Sequence, residues 1–171
     1  MKKLMFAALV AVAAVSAHAN TLLWGINPSY KLDDTKFANA TAYLMYSTTA
    51  IAAADLPKPS DTATSYSTSD LTVGSQLLSG TVTAGGFEGN TFVDSPTGKI
   101  WMYLAVISDD GKNMAISTTT KTATISTGTG NTNLKWLGTT QMNVYTAAPE
   151  PTSGLLMLVG LGALALRRRR A

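Results

Sequence analysis

The side chains that carry most enzyme chemistry are few in this 171-residue chain and unevenly placed. Its one histidine is His18, its arginines are confined to 167–170, and it has no cysteine. The segment 20–148 therefore lacks His, Arg and Cys. That composition excludes Ser-His-Asp and Cys-His catalysis, zinc or transition-metal sites built from His or Cys, and arginine clamps on phosphate. We predict no catalytic residue, no metal site and no cofactor.

Carboxylates are the reactive groups that remain. Asp33-Asp34 and Asp109-Asp110 are adjacent pairs, whereas a glycosidase needs two carboxyl groups roughly 5–10 Å apart across a cleft. Both pairs are more typical of turns, so a carboxylate-based hydrolase is an unfavoured alternative. Asp109, Asp110 and Asn113 supply oxygen atoms of the kind calcium binds, but the chain has no complete calcium-loop motif around them.

Aromatic side chains offer a second chemistry, the binding of sugars. Trp24, Trp101 and Trp136, together with the tyrosines, could line a sugar-binding face. Large aromatic residues in a small β domain more often fill the core. A carbohydrate-binding module is therefore an alternative that requires exposed aromatic rings.

The elements that must position these residues are predicted to be strands. Thr, Ser, Ala and Gly dominate the middle of the chain, and β-branched residues favour strands, while Gly, Asn and Asp clusters punctuate them. We predict a small all-β domain at 20–148, a β-sandwich with a barrel as the alternative. A single helical turn is predicted at 51–54 and a polar loop at 60–70. Strands are predicted at 22–26, 41–47, 71–73, 80–83, 100–107, 114–116, 122–127, 134–138 and 141–145.

The segment 100–107 is the clearest strand. Ile100, Met102, Leu104 and Val106 would occupy one face, and the alternate residues Trp101, Tyr103, Ala105 and Ile107 the other. Because both sets are apolar, the pattern predicts a strand that is buried on both faces.

The charges separate the two ends from the middle. The net charge is +3, but Lys2, Lys3, Glu150 and the arginines at 167–170 lie outside the middle segment and together carry +5, which leaves 20–148 with a net charge of −2. A nucleic-acid-binding role has no basic surface to support it. At the N-terminus, the two lysines, an apolar run at 4–15 and the small residues Ala17 and Ala19 predict a signal peptide at 1–19, cleaved after Ala19.

The C-terminal segment 149–171 is a composite signal. Pro149-Glu150-Pro151 should be extended, because proline disfavours a helical residue before it. The apolar segment 154–166 predicts a short transmembrane helix of roughly 20 Å, marginal for a hydrocarbon core of about 30 Å. By the positive-inside rule, four arginines after this segment would hold the C-terminus in the cytoplasm. They are Arg167, Arg168, Arg169 and Arg170.

This tail resembles the PEP-CTERM sorting signal, in which Pro-Glu-Pro, an apolar helix and an arginine cluster follow one another. Thr152 and Ser153 fit the signal, although the usual aromatic residue early in the helix is absent. The resemblance implies transient processing by a membrane-embedded exosortase and delivery to the cell surface or the extracellular matrix. It implies nothing about the activity of 20–148. We therefore expect an exported, non-enzymatic structural or matrix protein, with surface polysaccharide as a second partner and a membrane anchor that is transient or retained.

Overall fold

The computed structural model describes residues 20–60, 62–83, 85–93, 95–126, 130–138, 140–149, 157–159 and 161. The predicted signal peptide, with Ala17 and Ala19, lies outside the described residues. So do Glu150, Pro151 and the arginines at 167–170. The first described residue, Asn20, is also the first residue of a strand.

The described residues form nine strands in two open sheets, which confirms the all-β prediction. The smaller sheet has the order β4-β1-β8, and the larger has the order β3-β2-β5-β6-β9, with β7 also paired to β5. Neighbouring strands are antiparallel except for β1 and β8, which are parallel. The strands are β1 (Asn20–Ile26), β2 (Thr41–Ser47), β3 (Ser75–Thr81), β4 (Phe87–Val93), β5 (Gly98–Ile107), β6 (Asn113–Ser117), β7 (Lys121–Ile125), β8 (Gly130–Trp136) and β9 (Met142–Thr146).

The two sheets share one apolar core. Alternate residues of β1, namely Leu22, Trp24 and Ile26, point to the same face and are buried. They belong to one cluster with residues of the larger sheet such as Leu44 and Met102. The two open sheets therefore pack face to face, rather than closing into the barrel that was the alternative.

Strand β5 is buried on both faces, as its sequence predicts. Ile100, Met102, Leu104 and Val106 join the core between the sheets. Tyr103, Ala105 and Ile107 join a second cluster on the opposite face, against which the half-buried Trp101 packs. The second face is covered by a loop and not by another sheet.

That loop, residues 48–74, is called the cover segment below. It contains 3-10 turns at Ala53–Asp55 and Thr68–Asp70. The first lies close to the helical turn predicted at 51–54, and the second lies inside the predicted polar loop at 60–70. Four buried residues anchor the segment on the larger sheet, namely Ile51, Leu56, Tyr66 and Leu71.

Polar contacts fix the cover segment as well. The Tyr103 hydroxyl donates to the Val73 carbonyl at 2.7 Å, and burial raises the pKa of this phenol. The Tyr66 N–H donates to the Gly111 carbonyl at 2.7 Å. Because these buried groups find partners, the loop can lie on an apolar face without leaving its polar atoms unsatisfied.

The predicted strands differ from the observed ones at four places, the first being β3, Ser75–Thr81, where the prediction was 80–83. Residues 71–73 are not a strand, because Leu71 and Val73 pack in the cover segment and Gly74, at φ +76°, turns the chain into β3. Strand β4 was not predicted. Strand β8 begins at Gly130, earlier than the predicted start at 134.

Candidate functional site

The junction between the domain and the tail is the first candidate site. Strand β9 ends at Thr146, and the next two residues are still tied to the domain. The Ala147 N–H donates to the Lys112 carbonyl at 2.8 Å, and the Ala148 N–H donates to the Ala63 carbonyl at 2.7 Å. Pro149 follows at once and is exposed. The folded structure therefore reaches to within one residue of Pro-Glu-Pro.

The predicted membrane helix at 154–166 is described only at four positions. Residues 157–159 and 161 are helical. Their apolar side chains are largely exposed, with 71% exposure for Met157 and 60% for Leu161. Among the described residues, no helix has the length and hydropathy needed to cross a membrane. The transmembrane helix therefore stays a prediction.

The carboxylate pairs lie in turns. Asp33 follows β1, and its Oδ1 accepts hydrogen bonds from the Thr35 hydroxyl at 2.7 Å and the Thr35 N–H at 3.0 Å. Asp110 lies between β5 and β6, and its Oδ1 accepts from the Ser108 hydroxyl at 2.6 Å and the Lys112 N–H at 2.9 Å. Each carboxylate organises its own turn, as aspartate commonly does.

These hydrogen bonds also set the ionisation of the two groups. The Thr35 hydroxyl and N–H lower the pKa of Asp33. The Ser108 hydroxyl, followed by the Lys112 N–H, lowers the pKa of Asp110. Both carboxyls are thus held in the charged form, whereas a general acid near neutral pH needs a raised pKa.

The geometry around Asp109, Asp110 and Asn113 gives no support to a calcium site. The Asn113 Oδ1 already accepts the Thr146 hydroxyl at 3.1 Å. In the part of the chain that the structure describes, no group of three or more His, Cys, Asp or Glu residues is placed to hold a metal ion.

The tryptophans do not form an exposed row. Trp24 and Trp136 are buried in the core between the sheets. The Trp136 indole N–H donates to the Thr119 carbonyl at 3.2 Å. Trp101 is half-buried, with the Lys99 Nζ 5.0 Å from its ring centroid. Two of the three rings are therefore core residues, which disfavours the tryptophan-based sugar-binding face.

An open groove of about 330 Å³ lies where the cover segment meets the β5–β6 turn. Its lining residues include Tyr43, which is half-buried, Tyr66, which is buried, and Asp109. Ser67 and Thr68 also line it. Aromatic and hydroxyl-bearing residues are the types that a sugar-binding groove would need, with Tyr43 the more accessible of the two tyrosines. The sequence did not predict it, because Tyr66 comes from a segment that looks like a polar loop.

One lysine was also missed. Lys121 is partly buried, and its Nζ donates to the Lys135 carbonyl at 2.6 Å and lies 5.3 Å from the Trp136 ring centroid. Burial lowers its pKa. Both contacts join β7 to β8, so this lysine links the two sheets.

Comparison with known families adds one finding. Residues 147–170 match the PEP-CTERM protein-sorting motif. The chain therefore carries the sorting motif of PEP-CTERM proteins, and the recognition made from its last residues is confirmed. The motif implies processing by an exosortase and placement at the cell surface or outside the cell. No curated protein and no solved structure matches the chain.

Proposed function

We propose that this protein is a non-enzymatic structural component of the cell surface or extracellular matrix, which an exosortase delivers by processing its tail. One observation supports the delivery step. Among the described residues, the last backbone tethers of the domain are at Ala147 and Ala148, and the exposed Pro149 begins the motif immediately afterwards. Removal of the tail within or after Pro-Glu-Pro would therefore leave every described strand intact.

The non-enzymatic part of the proposal is supported by chemistry. The segment 20–148 has no His, Cys or Arg. The Asp33 and Asp110 carboxylates are occupied with the hydrogen bonds of their own turns. A Thr-rich β domain without such groups is suited to a role that depends on its surface rather than on a reaction.

The delivery step is tested by mass spectrometry of the full-length chain expressed in its native cell. We expect the surface and medium fractions to yield a chain that begins at Asn20 and ends near Pro149. Glu150→Ala should instead accumulate in the inner membrane with Arg167–Arg170 attached, whereas the control Glu88→Ala, at an exposed strand position, should be processed normally. Arginines retained on the wild-type surface protein would refute exosortase delivery.

The structural role is tested by dose. If the protein builds the matrix, the amount of matrix should rise in proportion to its expression level, because each copy contributes material. If the protein were an enzyme, the amount of matrix would instead reach its maximum at a small fraction of the wild-type expression level. Asp33→Asn, Asp109→Asn and Asp110→Asn should leave the dose response unchanged if no carboxylate is catalytic.

A carbohydrate-binding module is the second candidate, and the Tyr43–Tyr66 groove favours it. Tyr43→Ala should then abolish retention on immobilised surface polysaccharide, while Tyr30→Ala, which removes an exposed tyrosine outside the groove, should not. Equal retention of both variants and the wild type would remove this candidate.

A further inference from the structure

Strands β3 and β9 lie at the two ends of the main strand order of the larger sheet, and both lack the features that normally stop edges from pairing. Strand β3 reads SQLLSGT and β9 reads MNVYT, with no charge and no proline in either. In the smaller sheet, the edge strand β4 carries Glu88 and the edge strand β8 carries Lys135. Natural proteins protect exposed edges with charged residues, proline or bulges. Of these, the β3 and β9 edges have only a register shift in the β2–β3 pair, beside Leu77.

Both edges present free backbone groups. In β9, the Ala147 N–H and the Gln141 carbonyl bond towards the β6 side. Because bonding alternates along an antiparallel pair, Met142, Val144 and Thr146 direct their N–H and C=O groups outwards. No other strand in the described part of the chain pairs with β9, and Val144 is 44% exposed.

The same reasoning applies to β3. The Val82 N–H donates to the Ala40 carbonyl at 2.8 Å, which continues the β2–β3 ladder. By alternation, Leu78 and Gly80 bond to β2, while Ser79 and Thr81 direct their backbone groups to the free edge. This regular half of β3 lies beyond the register shift and supplies the pairing surface.

The two edges are complementary in direction and in face. Four successive antiparallel steps separate β3 from β9, so the two strands run in the same direction. Ser79 lies opposite Tyr43, and Asn143 lies opposite Ile116. Tyr43 and Ile116 both pack on the cover-segment side, so Ser79 and Asn143 share that face. A second copy, displaced along the sheet, would bring its β9 beside β3 as a parallel pair with matching faces.

We propose that β3 of one copy pairs with β9 of the next, so that the larger sheets join into one continuous sheet. This contact is head-to-tail and does not close on itself, so it generates filaments rather than dimers. The inference deepens the proposed function and rests on it, because it names the partner of a structural protein as a second copy of the same chain.

The absence of cysteine makes a direct test possible. Ser79→Cys and Asn143→Cys would be placed together in the full-length chain and expressed in its native cell. Within one copy, four strand spacings of about 4.8 Å separate the two positions by ~19 Å. A disulfide needs Cα atoms within about 7 Å, so any bond must join two copies.

We expect mild oxidation to convert most of the surface-delivered double variant into a ladder of multimers on a non-reducing gel, which reductant collapses to monomer. Each single-cysteine variant should stay monomeric. The matched control, Asn90→Cys with Asn131→Cys, places the same pair on the edges of the smaller sheet and should give no ladder. Thr81→Cys with Asn143→Cys tests the neighbouring register.

A charge on the edge provides a second measurement. In the Ser79/Asn143 double-cysteine variant, Val144→Lys should prevent the disulfide-linked multimers from forming. Asn90→Lys, on the edge of the smaller sheet, should leave them unchanged. If both register pairs stay monomeric on protein that has reached the surface, the edge pairing is overturned while surface delivery stands. An equal ladder from the smaller-sheet control would also overturn it. Arginines retained at 167–170 would refute the delivery mechanism, whatever the gel shows.

Discussion

The two sheets differ most on the faces that they turn away from each other. The outer face of the larger sheet is apolar, with Tyr103, Met114 and Ile116 buried beneath the cover segment. On the smaller sheet, Glu88 and Lys135 both lie opposite Gly25 and form an ion pair with each other. One outer face needs a cover and the other does not, because their strands follow different patterns of apolar residues.

In this protein a loop buries the outer face of a sheet, where another sheet or a helix would form a third layer in many folds. The cover segment is an irregular loop with two 3-10 turns, yet it packs into one buried apolar cluster with Tyr103, Met114 and Ile116 of the larger sheet. Its position depends on a few anchors, such as Tyr66 and the Tyr103–Val73 hydrogen bond. Stability on this side of the molecule should therefore respond sharply to single substitutions.

The largest expected effect comes from placing a charge on each outer face. Ile116→Lys should lower the free energy of unfolding by more than about 4 kcal/mol, because it removes a buried side chain and buries a cation. Leu23→Lys, at a half-buried position on the outer face of the smaller sheet, should cost about 1 kcal/mol or less.

Denaturant unfolding followed by circular dichroism measures both variants. Equal destabilisation by Leu23→Lys and Ile116→Lys would contradict this difference between the two outer faces. If the Ile116 variant also makes residues 62–74 sensitive to limited proteolysis, loss of the cover is the cause of its destabilisation.

The sequence predicts the double-sided burial of β5 because both alternating sets of its residues are apolar. It does not predict β4, whose Glu88, Gly89 and Asn90 have low strand propensity. A Cβ atom at Gly89 would collide with the Trp24 indole nitrogen. Glycine is therefore required there by a tertiary contact that local patterns do not contain.

The two candidate sites differ in the same respect, because one can be recognised from the sequence and the other depends on tertiary contacts. The sorting motif is a linear signal, so Pro149, Glu150 and Pro151 are recognisable without a fold, and the family match at 147–170 confirms the motif. The Tyr43–Tyr66 groove depends on how the cover segment folds back over β2 and β5. Neither the spacing of these tyrosines nor the composition of 60–70 indicates that contact.

A smaller effect is expected at the β5–β6 turn, where the cover segment is docked through the Gly111 carbonyl. Because the pKa of Asp110 is lowered in the folded state, its stabilising contribution is present above the unfolded-chain pKa of about 3.9. It is lost as the pH falls through the lower folded-state value.

Asp110→Asn should therefore lower the midpoint temperature of unfolding at pH 6. It should also make this midpoint temperature fall less steeply as the pH is lowered. Asp109→Asn, which removes the same charge from the same turn, is the matched control. If the midpoint temperatures of the wild type and of Asp110→Asn fall equally steeply with decreasing pH, the stabilising role of the Asp110 carboxylate is contradicted.

The smallest effect is expected on the outer face of the smaller sheet. Glu88 and Lys135 pair across Gly25, but the two side chains are 45% and 26% exposed, so water and salt weaken their attraction. Glu88→Gln should change the free energy of unfolding by about 0–1 kcal/mol, and the change should shrink as salt is added. A double-mutant cycle with Lys135→Gln isolates the pair from its neighbours. A coupling energy well above 1 kcal/mol that persists in high salt would mean that the pair braces β4 and β8 across β1. The polar outer face would then be a structural clamp in its own right, and the contrast with the covered face would lie in the kind of stabilisation rather than in its amount.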